Sequence, residues 1–183
     1  MWQHRYYEWG VYFVTFNTTN RFDYFVNPVL CELFIEELIL VKEITKCALY
    51  AFCINHDHVH LLLWPEESVA NISQVVQFIK RHFSRNANII LGCTSEDSLE
   101  KNAADNGYCQ LNKKISLRRQ KFLKQNIIMP KFVRQKSFHD HIIRNYADFY
   151  AHYKYTMDNY LKHGLSDGRK YTWLHYPKLI DVL

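Results

Sequence analysis

Two histidines placed two residues apart on a short apolar strand constrain the fold of this chain more than any other feature. The segment from Asn55 to Pro65 reads Asn-His-Asp-His-Val-His-Leu-Leu-Leu-Trp-Pro, and its apolar half favours a buried strand that the proline ends. Side chains two apart on a strand point the same way, so His58 and His60 share one face. Paired imidazoles on a rigid strand can hold a divalent metal that keeps open positions. The alternative is a pair of histidines hydrogen-bonded at a sheet edge.

Strand and helix patterns alternate on both sides of this segment. Val11–Asn17 is β-branched and aromatic, which predicts a first strand, and Ala48–Ile54 is predicted as the second. A helix is expected over about Pro28–Ile44, with proline at its first position. Asn71 and Gln74 are spaced as a capping box at the start of another helix.

A polar and then basic segment, from Gly92 to about Asn126, interrupts the alternation. It predicts an excursion from the core that contains a short helix over Lys113–Lys124, with a strand-like stretch around Phe132 and Phe138 afterwards. No Asp or Glu lies between Asn106 and His139, a pattern typical of polyanion binding or, alternatively, of a solvated helix. The candidate phosphate contacts are Lys113, Lys114, Arg118, Arg119, Lys121, Lys124, Lys131, Arg134 and Lys136, together with Lys80, Arg81 and Arg85 at the end of the preceding helix.

The last helix pattern begins at the N-cap Asn145 and ends near Gly164. At helical spacing its predicted core stripe consists of Tyr146, Tyr150, Tyr153, Met157, Tyr160 and Leu161. Tyr155 falls on the opposite side, and Asn159 follows it one turn later. A tyrosine off the core stripe beside a metal-capable amide suggests a catalytic pair. The alternative is an exposed tyrosine in a chain that has thirteen.

Length and composition indicate one folded domain over residues 1–183. Hydrophobic residues make up 48% of the chain and aromatic residues 16%, which argues against disorder. The five cysteines are odd in number and include no Cys-x-x-Cys pair, and the residues from Met1 lead us to expect no signal peptide. We therefore expect reduced thiols in a cytoplasmic protein, with no membrane-spanning segment.

Several segments together resemble a known family. Asp57–Leu62 resembles the His-hydrophobe-His signature of the HUH single-strand DNA nucleases, and more narrowly the chain resembles the REP-associated tyrosine transposases. These are relatives of the single-tyrosine transposases of insertion sequences. The further matching segments are Arg5–Tyr7 with Phe13–Asn17, Ile79–Ser84, Gln135 with Phe138–Asn145, and Tyr155–Leu165.

The resemblance implies a fold and a set of site residues. The implied fold is α+β, a ferredoxin-like single domain with a central antiparallel sheet, packed helices and a C-terminal catalytic helix. His58 and His60 match the metal-binding histidines, Tyr155 matches the nucleophile, and Asn159 matches the residue that completes the metal site. Two imidazoles and an amide oxygen suit Mg²⁺ or Mn²⁺.

The chain departs from the family pattern at four positions. His56 stands where the family usually has proline, and Asp57 stands where Asn, Asp or Glu is common; both are candidates for contacts behind the metal ligands. Tyr160 replaces the proline of the family's Asn-Pro, and Arg134 replaces the tryptophan of its Trp-Gln pair. These departures bear on which DNA is read rather than on the catalytic groups.

The function implied is that of a metal-dependent single-stranded DNA endonuclease and strand transferase acting through a covalent 5′-phosphotyrosine. The expected partner is single-stranded or hairpin DNA, and the chain is expected to act as a monomer or homodimer in the cytoplasm, at the nucleoid when bound to DNA. Two alternatives stay open. One is a catalytically silent nucleic-acid-binding protein of the same fold, and the other is a hydrolase with a three-histidine zinc site at His56, His58 and His60.

Overall fold

The computed structural model describes residues 10–66, 68–95, 106–133, 135, 137–165 and 172–174. Side chains are described for all of these except residues 106–112 and 172–174. Three parts of the sequence predictions, Arg134, Lys136 and the matching segment Arg5–Tyr7, lie outside the described residues.

Within these ranges the chain forms four α-helices and five strands. In order they are β1 (Tyr12–Asn17), α1 (Pro28–Thr45), β2 (Ala48–Ile54), β3 (His58–Trp64), α2 (Ile72–Ile90), α3 (Asn106–Leu123), β4 (His139–Ile142), α4 (Tyr146–Lys162) and β5 (Thr172–Leu174). Two short 3₁₀ turns, Thr19–Arg21 and Tyr24–Val26, connect β1 to α1. Among the described helices, none is long and apolar enough to cross a membrane.

The strands form one antiparallel sheet in the order β4-β1-β3-β2-β5, which places the histidine strand β3 at its centre. In this register His60 lies opposite Thr15 of β1 on one side and Cys53 of β2 on the other. The predicted α+β fold with a central antiparallel sheet is thus confirmed.

Strand alternation divides β3 between two chemically different faces. Val59, Leu61 and Leu63 belong to the large apolar core that also contains the buried residues of α1 and α2. Leu62 instead packs in a smaller cluster with Phe149 and Tyr153 of α4. Since His58 and His60 share the alternation of Leu62, they lie on the face of the sheet that α4 covers.

Capping residues fix where the helices begin, as the sequence predicts. The Asn27 side chain accepts a hydrogen bond from the Val29 N–H, and Pro28 occupies the first helical position of α1. Asn71 and Gln74 form the reciprocal capping box at the start of α2.

Two predicted elements shift position. The inserted helix is longer than the predicted Lys113–Lys124, and it packs onto α1 and α2 through the buried Ile115 and Phe122. The stretch around Phe132 does not form a strand. The Phe132 side chain is buried against Phe83 in the core, and β4 begins at His139.

The face of α4 that packs on the sheet also differs from the prediction. Its buried residues are Phe149, Tyr153, Thr156 and Asn159. The exposed members of the predicted stripe are Tyr146, Tyr150, Met157 and Leu161. The apolar stripe is not the packed face because the sheet surface below the second half of α4 is polar, and polar residues of the helix pack against it.

A buried carboxyl group lies between α1 and α2. Glu37 is fully buried, and the Asn86 amide donates to its Oε1 at 2.5 Å. Burial raises the pKa of Glu37 to about 7, while the Asn86 hydrogen bond and the Arg85 charge oppose the shift and Glu36 adds to it. The second carboxyl oxygen, Oε2, has no hydrogen-bond partner among the described residues.

Replacing Glu37 by Gln is expected to raise stability at alkaline pH. The folded pKa of about 7 lies above the ordinary 4.5, so the folded state binds more protons between these values and the free energy of unfolding falls as pH rises through that window. Between pH 5 and pH 8, the free energy of unfolding measured with urea should fall by up to about 3 kcal/mol in the parent. In Glu37→Gln this fall should be absent. Glu43→Gln, on the exposed side of the same helix, should retain the loss. Equal pH dependence in parent and Glu37→Gln would contradict this prediction.

Candidate active site

His60 is held at the centre of the sheet with one ring nitrogen available. Its Nδ1 lies 2.7 Å from the Thr15 hydroxyl, its cross-strand neighbour on β1. Its Nε2 is buried and has no hydrogen-bond partner within the described part of the chain. Burial, together with nearby charges on His58 and His163, lowers the pKa of His60 to about 3. The ring is therefore neutral at physiological pH. In the tautomer that donates its Nδ1–H to the Thr15 hydroxyl, Nε2 presents a lone pair.

His58 is oriented by the residue that precedes it. Its Nδ1 lies 2.5 Å from the Asp57 carboxylate, which also receives the Arg21 guanidinium at 3.1 Å. Burial lowers the pKa of His58 below its ordinary value, although the Asp57 hydrogen bond and charge raise it. A carboxylate behind a ring nitrogen fixes the tautomer and increases the basicity of the other nitrogen. Asp57 thus stands where a contact behind a metal ligand was predicted, and that role stays a prediction.

Asn55 links β3 to α4, and the sequence interpretation missed it. Its Nδ2 donates to the Asn159 Oδ1 at 2.7 Å and lies 3.1 Å from the His58 Nε2. Both asparagines are buried. In the sequence, Asn55 stands only among the residues that lead into the histidine strand. The signal that could have identified it is a polar side chain at the end of the buried strand Ala48–Ile54, three residues before His58.

Tyr155 lies beside the two histidines. Its ring centroid is 5.3 Å from that of His60, edge to face, and 5.7 Å from that of Phe13 on β1. The Lys162 ammonium lies 4.0 Å from the tyrosine ring centroid, which places a positive charge next to the phenol. The tyrosine is 37% exposed, so a large ligand has access to it. The sequence places Asn159 on the same side of the helix as Tyr155, opposite the apolar stripe. In the structure Asn159 is fully buried, whereas Tyr155 is exposed.

The donors gathered here fit a divalent cation. The rings of His58 and His60 lie 4.9 Å apart at 81°, and both histidines are neutral, as metal ligation requires. The Nε2 of His60, which has no hydrogen-bond partner among the described residues, offers a buried lone pair that a cation would satisfy. The Asn159 Oδ1 and the His58 Nε2 meet at the Asn55 amide, so the three predicted ligands converge on one region.

His56 does not extend this ligand set. It lies in the bend before β3 rather than on the strand, so it does not alternate with His58 and His60 as predicted. In the described residues these three histidines do not bring three ligand atoms within 4.8 Å of one another. The predicted three-histidine zinc site is therefore wrong, because the strand starts two residues too late.

Most of the predicted phosphate contacts on α3 lie far from this site. The helix packs on α1 and α2, across the sheet from α4. Arg118 pairs with both Glu32 and Glu36 of α1, and Lys114 lies 3.4 Å from Glu36. Lys121 also approaches Glu32, at 3.7 Å. These ion pairs attach α3 to α1 and neutralise part of its charge.

The remaining predicted contacts differ in exposure. Lys80 is buried, and its ammonium donates to the Ser137 carbonyl at 2.9 Å and lies 5.9 Å from the centroid of Phe16, so it supports the fold. The half-buried members of the set are Arg85 and Arg119. The exposed members are Arg81, Lys113, Lys124 and Lys131.

Comparison with known proteins gives one family and a structural likeness. The family model described as "Transposase IS200 like" matches residues 1–111, more than half of the chain. The solved structure of a REP-associated tyrosine transposase bound to a REP hairpin is similar, with a TM-score of 0.58 and 19% identity over 91% of this chain and 77% of that one. A candidate transposase from Deinococcus radiodurans R1 has a TM-score of 0.47 and 16% identity over 89% of this chain and 97% of that one. No curated protein matches the chain. The first of these structures has the same α+β fold.

A double-mutant cycle between Asn55 and Asn159 should reveal coupling. Asn55→Ala leaves the His58 Nε2 and the Asn159 Oδ1 buried without their donor, which we expect to cost about 1–3 kcal/mol. Because Asn159→Ala removes one of the same contacts, urea unfolding of the double variant should give a coupling energy of about 0.5–3 kcal/mol.

Asn88 supplies the matched control for this cycle. It is a buried asparagine of α2 that binds the Phe132 backbone on the other side of the sheet. Asn55→Ala and Asn88→Ala should therefore be additive. Additivity of the Asn55 and Asn159 substitutions as well would show that their contact does not contribute to stability.

Proposed function

The chain belongs to the IS200-like transposase family, and we propose that it cleaves and rejoins single-stranded DNA through a covalent intermediate at Tyr155. The observation that carries this proposal is the 5.3 Å separation between the ring centroids of Tyr155 and His60. The Nε2 of that histidine, which has no hydrogen-bond partner in the part of the chain that the structure describes, supports it. A phenol beside buried, neutral imidazoles combines a nucleophile with donors for a cation. The family match covers His58 and His60 but ends before Tyr155, so the role of the tyrosine is argued from the geometry.

The chemistry proposed for Tyr155 is a reversible transesterification. The phenol oxygen attacks the scissile phosphorus, a new bond joins the tyrosine to the 5′-phosphate, and the bond from phosphorus to the 3′-oxygen breaks. The leaving oxygen takes up a proton as the phenol loses one, so charge balances. Since one phosphodiester replaces another, the reverse attack by a 3′-hydroxyl restores the DNA backbone. Tyrosine is normally protonated at neutral pH, so the phenol has to lose its proton as the new bond forms.

We propose that His58, His60 and Asn159 hold a divalent cation in this reaction. Imidazole and amide oxygen ligands with open positions suit Mg²⁺ or Mn²⁺. When bound, such an ion polarises the phosphate and offsets the charge that develops during transfer. Asp57 holds the His58 ring from behind.

The DNA proposed to reach this site is single-stranded DNA next to a hairpin. The solved transposase of similar fold is bound to a REP hairpin, which makes a hairpin the first substrate to test. Two exposed cations lie at the same end of the sheet as His58. The Arg21 guanidinium contacts Asp57, and the backbone carbonyl of Lys131 accepts a hydrogen bond from the Tyr24 hydroxyl. We propose these two cations as phosphate contacts, in preference to the residues of α3, because α3 lies across the sheet from α4.

A second candidate function, DNA binding without cleavage, is favoured by the position of Asn55. Its Nδ2 already contacts the His58 Nε2 and the Asn159 Oδ1, two of the three atoms that would hold the cation. A cation has to displace this amide group before it can be held by all three residues. If the amide is not displaced, the fold would retain DNA binding and lose cleavage.

Tyr155→Phe is expected to abolish covalent attachment to DNA while leaving DNA binding unchanged. The parent should be incubated with Mn²⁺ and hairpin DNA that carries single-stranded flanks, then run on a denaturing gel. Because the proposed intermediate keeps the 5′-phosphate, DNA labelled at its 3′ end should migrate with the protein, and DNA labelled at its 5′ end should be released. Tyr155→Phe should reduce cleavage on the order of 10³-fold or more.

Tyr150→Phe is the matched control, because Tyr150 is an exposed tyrosine of the same helix. It should form the adduct as the parent does. Retention of the adduct in Tyr155→Phe would remove Tyr155 as the nucleophile. A parent that binds the hairpin but forms no adduct with Mn²⁺ or Mg²⁺ would favour the binding-only function.

His60→Ala is expected to lower Mn²⁺-dependent cleavage more than about tenfold, because it removes the one proposed ligand atom that has no other partner in the described residues. Chelation with EDTA should abolish cleavage by the parent, and added Mn²⁺ should restore it. His82→Gln, on α2 across the sheet, is the control and should cleave as the parent does. Cleavage by the parent in EDTA would overturn the metal requirement.

A further inference from the structure

A second group of metal-capable side chains lies outside the proposed cleavage site. His141, Asp148 and His152 each present one ligand atom, and these atoms lie within 4.8 Å of one another. The His141 Nε2 is 3.0 Å from one Asp148 carboxylate oxygen and 3.2 Å from the other. The His152 Nδ1 is 3.1 Å from the same carboxylate, and the two imidazole rings stack with centroids 4.6 Å apart.

The fold brings these residues together from two elements. His141 lies on β4 opposite Phe13 of β1, and its side chain therefore faces α4. Asp148 and His152 lie one turn apart on α4 and so share a helix face. The group joins the edge strand β4 to the first two turns of the helix that carries Tyr155, three residues after His152.

We propose that His141, Asp148 and His152 bind a zinc-type divalent cation that fastens β4 to α4. Zinc prefers imidazole nitrogens and carboxylate oxygens, and three protein ligands plus a water complete a tetrahedral site. With zinc–ligand bonds of about 2.0–2.1 Å, the edge of that tetrahedron is about 3.3 Å. The nitrogen–oxygen separations of 3.0 to 3.2 Å between each ring and Asp148 are close to that edge.

Hydrogen bonds hold these three side chains together when no cation is bound. His141 donates to the Asp148 carboxylate, and the His152 Nδ1 also lies 2.9 Å from the Asp148 backbone carbonyl. A cation would take the place of the proton on each of these two ring nitrogens, and each neutral ring would carry its proton on its other nitrogen instead. Asp148 is a carboxylate ready to ligate: burial favours a higher pKa, but the His141 and Arg144 N–H hydrogen bonds outweigh it and hold the pKa of the group below its ordinary value.

This site is separate from the one at His58 and His60 but adjoins it. The Phe13 ring lies between them, with its centroid 4.8 Å from that of His152 and 5.3 Å from that of His60. The same ring contacts Tyr155 at 5.7 Å. A cation held by the second group would therefore stiffen the start of α4 and help to set the position of the tyrosine, without itself touching the phosphate.

Cobalt binding tests this proposal without reference to DNA cleavage. Co²⁺ can stand in for zinc in such sites, and its visible absorbance reports coordination by protein ligands. In a His58→Ala/His60→Ala background, which removes the other proposed site, titration should show one saturable equivalent that zinc displaces. His141→Gln in that background should abolish the absorbance, whereas His139→Gln, an exposed histidine of the same strand, should retain it.

A second measurement keeps the test informative should the multiple variants fold poorly. Zinc should raise the melting temperature of the otherwise unaltered chain. Because the site at His58 and His60 is present in both single variants, the increase should be smaller in His141→Gln than in His139→Gln, and it should be unchanged in His139→Gln. Saturable cobalt absorbance that survives His141→Gln, or no saturable binding in either the parent or the double-alanine background, would overturn the proposal. In that case the group is a hydrogen-bonded link between β4 and α4 that holds no ion.

Discussion

The twofold alternation of β3 is the constraint on which the rest of this structure depends. Val59, Leu61 and Leu63 face the core under α1 and α2, and the residues between them face α4. A shift of the strand by one residue would bury both imidazoles in the apolar core and expose the leucines to the polar side. Because one face is strongly apolar, the register is fixed, and the positions of His58 and His60 are fixed with it.

Burial at the centre of the sheet also determines the state of the site. An imidazole in this environment loses hydration, so the pKa of His60 falls to about 3 and both nitrogens stay free of positive charge. The cost of such burial is met by specific partners: Thr15 for His60, and Asp57 for His58. The same physics acts on Glu37, where burial instead raises the pKa to about 7. In both cases the fold selects the neutral form of a titratable side chain.

Local patterns in the sequence predicted those parts of the structure that depend on neighbouring residues. The start of α1, the capping box of α2 and the strand Ala48–Ile54 follow from caps and from residues that favour strands. Features that depend on distant residues were not predictable. The apolar stripe predicted the wrong buried face of α4, because the residues of the helix alone do not show that the sheet beneath Asn159 is polar. The acid-free stretch of α3 indicated a polyanion, but its charges meet Glu32 and Glu36 of α1, and that pairing requires the tertiary packing.

Asn55 bears directly on how the proposed metal site is organised. Without an ion, two neighbouring acceptors, the His58 Nε2 and the Asn159 Oδ1, would be buried with no donor, and the Asn55 amide supplies one. Asn55 thereby holds the ligands of β3 and α4 in place before any cation arrives. The same contact must be released when a cation binds, so the pre-organisation gained by the ligands is offset by the loss of this hydrogen bond. Under the proposed function, the balance between these two effects, rather than the presence of the ligands alone, would decide whether the three residues hold a cation.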